Sequence, residues 1–71
     1  MRAKETVRSS LSNYRREAGV TQEELAMRVG VTRQTVISIE KGDYVPSVLL
    51  ALKIANEFET SVERIFHYEE K

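Results

Sequence analysis

The sequence predicts an all-α domain of five short helices in one compact unit, and three observations predict it. All three glycines, Gly19, Gly30 and Gly42, stand where an apolar helical period breaks off, each suited to the left-handed residue that closes a helix. The segments around them repeat apolar residues at three- and four-residue spacing. Thr21, Thr32 and Ser47 stand just ahead of such segments, as residues that cap helix N-termini do.

The first helix is expected over about residues 7–18, with Thr6 as its N-cap and Val7, Leu11, Tyr14 and Ala18 facing inward. Residues 1–6 ahead of it read as a flexible arm. There Arg2 and Lys4, with Arg8 opening the helix, are either solvated charges or contacts along a nucleic-acid backbone or minor groove. The second helix opens on Thr21-Gln22-Glu23-Glu24, a capping box in which the Thr21 hydroxyl accepts from the Glu24 amide while the Glu24 carboxylate reaches back. Ala26, four residues before Gly30, is small enough for a third helix to cross closely, and Gly30 takes φ > 0 without strain. Thr32 caps that third helix, which Val36 and Ile39 anchor inward.

A loop over Lys41-Gly42-Asp43-Tyr44-Val45-Pro46 leads to a fourth helix at about residues 48–58, capped by Ser47, with Val48, Ala51, Leu52, Ile54, Ala55 and Phe58 on a broad apolar face. A short fifth helix starts at Ser61 and carries Val62, Ile65 and Phe66. Two readings of the last residues stand. Residues 67–71 are a frayed tail, or Phe66 and Tyr68 alternate with His67 and Glu69 in a short strand that needs a partner from a second subunit or from the N-terminal arm.

Seventy-one residues make a single domain spanning 1–71, whose core supplies only about a few kcal/mol of net stability. A homodimer is expected on that ground. No cysteine and one histidine exclude a disulfide framework and a thiolate or multi-histidine metal site, so no metal and no cofactor is expected. No apolar run has the length of a membrane span and the first ten residues do not read as a secretory signal, which points to a cytoplasmic protein with no membrane partner. Eleven basic and eleven acidic residues balance overall, but residues 1–41 hold eight Lys or Arg against five acids and residues 42–71 hold three against six. The molecule is therefore polarised, and its basic half can face a polyanion.

Gln22, Leu25, Ala26, Val29, Gly30, Val31, Thr32, Val36, Ile39 and Glu40 together resemble the helix-turn-helix of the phage-repressor and Cro-like family, also called the XRE family, at helices two and three. A Leu-x-x-x-Arg helix before them and Pro-Ser-Val-x-Leu-Ala-x-Lys-Ile-Ala after them extend the resemblance from about Leu11 to the C-terminus. It implies a sequence-specific, dimeric transcriptional regulator, most simply a repressor, that binds a two-fold symmetric operator in double-stranded DNA. An enzyme is not expected, since His67 has no nucleophile or orienting carboxylate that sequence alone sets beside it.

With Val36 and Ile39 inward, 3.6 residues per turn sends Gln34, Ser38 and Lys41 to the outer face of the third helix. Arg33 and Gln34 lie in its first turn, and their side chains match the major-groove edges of guanine and adenine. The resemblance assigns base contacts to these two and to Ser38. Ile37, on the flank, either touches a thymine methyl or is partly buried against Tyr44 and Val45. Gln22 begins the second helix, where free amides and the helix dipole favour a phosphate, and the resemblance implies the same contact. Thr21 and Thr35 combine capping with candidate phosphate roles. Lys41 and Tyr44 resemble a second backbone clamp, a buried Tyr44 being the competing reading. The family pairs residues at the positions of Arg15 and Glu40 in a partly buried ion pair, so their implied role is structural.

Two positions depart from the family pattern. Glu59 stands where glycine is common, so the fourth helix is expected to end differently, and Leu49 stands where a charge is common, either as part of a dimer surface or as a singly exposed leucine of no consequence. Zero net charge together with Ile37 and Leu49 keeps a second function open: a helical protein-interaction module, or an antitoxin-type partner-binding protein, with weak or no DNA binding.

Overall fold

The structure, a computed structural model, describes residues 5–70. Its elements run β1 (Glu5–Ser9), α1 (Leu11–Glu17), α2 (Gln22–Val29), α3 (Arg33–Lys41), α4 (Val48–Glu57), α5 (Val62–Ile65) and β2 (Phe66–Glu70). Five helices enclose one core in which Leu11, Leu25, Val36, Ile39, Ile54 and Ile65 are fully buried. Ala26 is buried at the contact between α2 and α3, and Gly30 closes α2 at φ 77°, the left-handed turn that lets α3 fold back across it.

The start of the chain differs from the expectation. Residues 5–9 do not open a helix; they form β1, and α1 begins at Leu11 after Ser10 rather than after Thr6. Val7 is thus a strand residue, and Ala18, expected inward, is exposed. The segment Thr-Val-Arg-Ser-Ser is rich in residues with weak helix propensity, and pairing with another strand satisfies the backbone groups that a helix would otherwise use. That strand is β2. Antiparallel register sets Glu5 opposite Glu70, Val7 opposite Tyr68 and Ser9 opposite Phe66.

Residues 66–70 accordingly form a strand whose partner is the N-terminal segment of the same chain. Residues 5 and 6 of the expected arm belong to β1, whereas Arg2, Lys4 and Lys71 lie outside the described residues. The hairpin-like pair is tied to the helices where the Ser10 amide donates to the Ile65 carbonyl at 2.7 Å and the Leu11 amide to Ser9 Oγ at 3.2 Å.

Helix α4 turns a different face inward than its apolar pattern suggests. Leu50, Ala51, Ile54 and Ala55 are buried, while Val48 and Leu52 stay 77% and 54% exposed beside an exposed Leu49. The helix also ends as a glycine would end it: Glu59 takes φ 51°, its amide donates to the Asn56 carbonyl, and the Thr60 amide donates to Ala55. This Schellman closure satisfies the last carbonyls and offsets the roughly 1 kcal/mol that a Cβ costs in the left-handed region.

Candidate nucleic-acid interface

The interface is built around the first turn of α3. Thr32 caps that helix, its Oγ1 accepting from the Thr35 amide at 3.2 Å and lying 3.0 Å from Thr35 Oγ1. The cap fixes where the helix begins, so Arg33 and Gln34 emerge side by side and exposed. Ser38 follows one turn later, half-buried. Ile37 is half-buried as well, and Tyr44 is 47% exposed, so the buried reading of Tyr44 does not hold. The loop that carries it is short and runs outside the core.

Two recesses flank this turn. Arg15, Arg16, Thr21, Gln22, Glu23 and Arg33 line the first, and Thr32, Gln34, Thr35, Ser38 and Tyr44 line the second. Residues read from the sequence as phosphate contacts and base contacts are thus neighbours in space. Lys41 stands apart from both, in a recess shared with β1 and Glu69. Sequence reasoning passed over Arg16. Its signal was a second cation next to Arg15 at the end of α1, and it has no ion-pair partner among the described residues.

At the start of α2 the capping box is complete: the Glu24 amide donates to Thr21 Oγ1, and the Thr21 amide donates to Glu24 Oε1, both at 3.0 Å. Hydrogen bonding from the Thr21 amide foremost, and then from the Thr21 hydroxyl, holds the Glu24 carboxyl below its ordinary value.

Behind the first recess lies an ion pair. Arg15 Nε donates to Glu40 Oε2 at 2.6 Å and Nη2 to Oε1 at 3.2 Å, with both side chains about nine-tenths buried. Hydrogen bonding to Glu40 raises the affinity of the Arg15 guanidinium for its proton, outweighing the opposing effect of burial. Arg15 Nη1 donates to the Val20 carbonyl, and Gln22 Nε2 donates to Glu40 Oε1 at 3.0 Å. Arg15 therefore commits three of its five N–H donors and its charge inside the fold, whereas Arg16 and Arg33 at this edge pair with no acid among the described residues.

Arg8, counted with the arm, sits in β1 and pairs with Glu69 at 3.2 Å. His67 is half-buried, and the fold does set a hydroxyl beside it, since Ser10 Oγ lies 2.9 Å from Nε2. No carboxylate orients the other ring nitrogen among the described residues, so the pair serves to join β2 to the start of α1. No cluster of three or more potential metal ligands occurs among them either.

A helix-turn-helix family profile matches residues 11–65, from the start of α1 to the end of α5. The chain belongs to this helix-turn-helix family. An uncharacterized HTH-type transcriptional regulator, YgzD of Bacillus subtilis, is 51% identical over 65 residues, covering 92% of this chain and 98% of its own length. The restriction-modification controller protein C.AhdI of Aeromonas hydrophila is 30% identical with a TM-score of 0.69, over 75% of this chain and 80% of its own. The transcriptional regulator VanUg, at 18% identity, shares the fold over 100% of this chain and 93% of its own, with a TM-score of 0.77.

This helix-turn-helix protein is a DNA-binding transcriptional regulator of the XRE type, a non-enzymatic class. No helix among its described residues is long and apolar enough to cross a membrane.

Proposed function

We propose that the protein is a cytoplasmic, homodimeric repressor that inserts α3 into successive major grooves of a two-fold symmetric operator. One observation carries the reading: Arg33 and Gln34 are exposed in the capped first turn of α3, directly beside the recess formed by Thr21, Gln22 and Arg16. An α-helix fits the major groove, and its N-terminal residues reach base edges most deeply. Arg33 then reads guanine, Gln34 adenine, and Ser38 a base further along, with Ile37 against a thymine methyl. Gln22, Thr21 and Arg16 grip one phosphate run, while Thr35 and Tyr44 meet the other and Lys41, outside both recesses, reaches a phosphate further along.

The proposed dimer draws on the exposed apolar residues of α4, Val48, Leu49 and Leu52, which one core does not need. Two subunits would present their α3 helices roughly 34 Å apart, one turn of DNA. Repression follows from occluding polymerase at such a site.

Selecting bound duplexes from a random pool tests the reading and yields half-site and spacing together. A palindromic motif is expected, with Gln34→Ala and Arg33→Ala each relaxing one base position. Selection of no motif, with binding indifferent to both substitutions, leaves instead the protein-interaction module that the same apolar α4 face favours.

A further inference from the structure

We infer that Glu40 is a positioning residue for DNA: it holds the Gln22 side chain so that a phosphate gripped at the start of α2 stands in register with the base-reading face of α3. The inference rests on the proposed phosphate contact of Gln22.

Glu40 lies near the end of α3 with its side chain 8% exposed, and it serves two partners rather than one. Oε2 accepts from Arg15 Nε, and Oε1 accepts both from Arg15 Nη2 at 3.2 Å and from Gln22 Nε2 at 3.0 Å. Arg15 is itself braced by donating to the Val20 carbonyl at 3.0 Å. One side chain from each of the first three helices meets in this network.

The division of labour follows from charge. Arg15 neutralises the carboxylate through two parallel N–H donors, so the amide of Gln22 is not needed for that purpose. A bare carboxylate near a DNA phosphate would repel it, and the guanidinium removes that repulsion. What remains for Glu40 is geometry. A glutamine at a helix start loses rotamer freedom when a ligand fixes it, and the bond to Glu40 offsets part of that loss before DNA arrives. One amide N–H is held by the carboxylate, leaving the second N–H to donate to a phosphate oxygen.

Glu40 is also on the helix that carries Gln34 and Ser38. Phosphate contacts set register while base contacts set sequence. A tie from Gln22 to α3, rather than to the surface of α2, makes the first serve the second. Its loss should loosen specificity before it loosens general DNA affinity.

The test compares the affinity of wild type, Gln22→Ala, Glu40→Gln and the double variant for the selected operator and for a random duplex. Glu40→Gln keeps the shape but exchanges one acceptor oxygen for an amide donor, so Arg15 Nε and Gln22 Nε2, which use different oxygens of Glu40, no longer both find an acceptor. Gln22→Ala is expected to weaken operator binding about tenfold in wild type, but by less than about twofold where Glu40 is already Gln. Glu40→Gln should lower the operator-to-random ratio while leaving random-duplex binding unchanged or tighter, because a negative charge has gone. Equal losses from Gln22→Ala in both backgrounds overturn the positioning role. No effect of Gln22→Ala in wild type overturns instead the phosphate contact beneath it. Should Glu40→Gln not fold, side-chain amide relaxation of Gln22 in the wild-type protein decides: an order parameter above about 0.6, towards the rigid-backbone value of about 0.85, is expected, and one below about 0.6 refutes the proposal.

Discussion

Arg15 Nε donates to Glu40 Oε2 at 2.6 Å across 25 residues of sequence, joining α1 to the end of α3. Both side chains are about nine-tenths out of water, so breaking the pair strands a charge that has already lost its hydration. Arg15→Ala and Glu40→Ala should each destabilise the domain by about 3 kcal/mol or more in urea unfolding, a large share of what a domain of this size possesses. A paired change of both residues to apolar ones of similar size should cost far less than either alone, because no charge is left unpartnered.

Glu59 offers the opposite opportunity. It holds φ 51° at the close of α4, in the region where a Cβ is strained. Glu59→Gly should raise stability by about 0.5–1 kcal/mol, visible as a higher urea midpoint at unchanged slope. Glu59→Val should lower it, since a β-branched residue tolerates that conformation least.

The capping box at Thr21 gives stability a defined acid limb. Glu24 is held below its ordinary carboxyl value of 4.5 by the Thr21 amide and hydroxyl. The folded state therefore binds its proton less readily than the unfolded chain, and the contribution is complete above that value and fades as pH falls through the lowered one. Urea midpoints followed from about pH 6 down to pH 2.5 should fall less steeply for Glu24→Gln than for wild type.

On the proposed docking, substitutions at the interface should separate into two kinds. Gln34→Ala or Arg33→Ala should reduce discrimination at one base pair by about 1–3 kcal/mol. Arg16→Ala should weaken operator and random duplex alike and lower the salt dependence by about one phosphate equivalent. Fluorescence titration over a range of salt distinguishes them, and an Arg16 variant that left the salt slope intact would remove that residue from the phosphate clamp.

The exposed side of α4 predicts an assembly change without a folding change. Val48 and Leu52 contribute little to the core, being 77% and 54% exposed. Val48→Lys with Leu52→Lys should leave the circular dichroism of the chain intact while converting the proposed dimer to a monomer in sedimentation, with operator affinity falling by at least about tenfold for loss of one half-site.

Much of the helix-turn-helix was legible because its signals are local. Thr21 and Glu24 cap a helix three residues apart, Gly30 turns the chain one position after the last helical residue, and Thr32 meets Thr35 within a single turn. The outer face of α3 follows from the same short period once Val36 and Ile39 are inside. Arg15 with Glu40 was legible only through family resemblance, since nothing in the spacing of two residues so distant requires them to meet.

By itself the sequence determined the helices that have caps and glycine stops, the crossing of α2 and α3, and the identity of Arg33 and Gln34 as the residues at the start of α3. Tertiary structure alone decided the fate of the two ends. Thr6 to Ser9 carry an apolar residue at helical distance from Leu11, yet they become a strand because Phe66–Glu70, some sixty residues later, offers an unpaired backbone. Separation in sequence, though shorter, also hid the tie from Gln22 to Glu40 and the recess that Arg16 shares with Arg33. Caps and turns are decided within a few residues by steric and hydrogen-bond geometry. Strand pairing and side-chain networks depend on which distant segments the buried core brings together, and no short window of sequence contains that information.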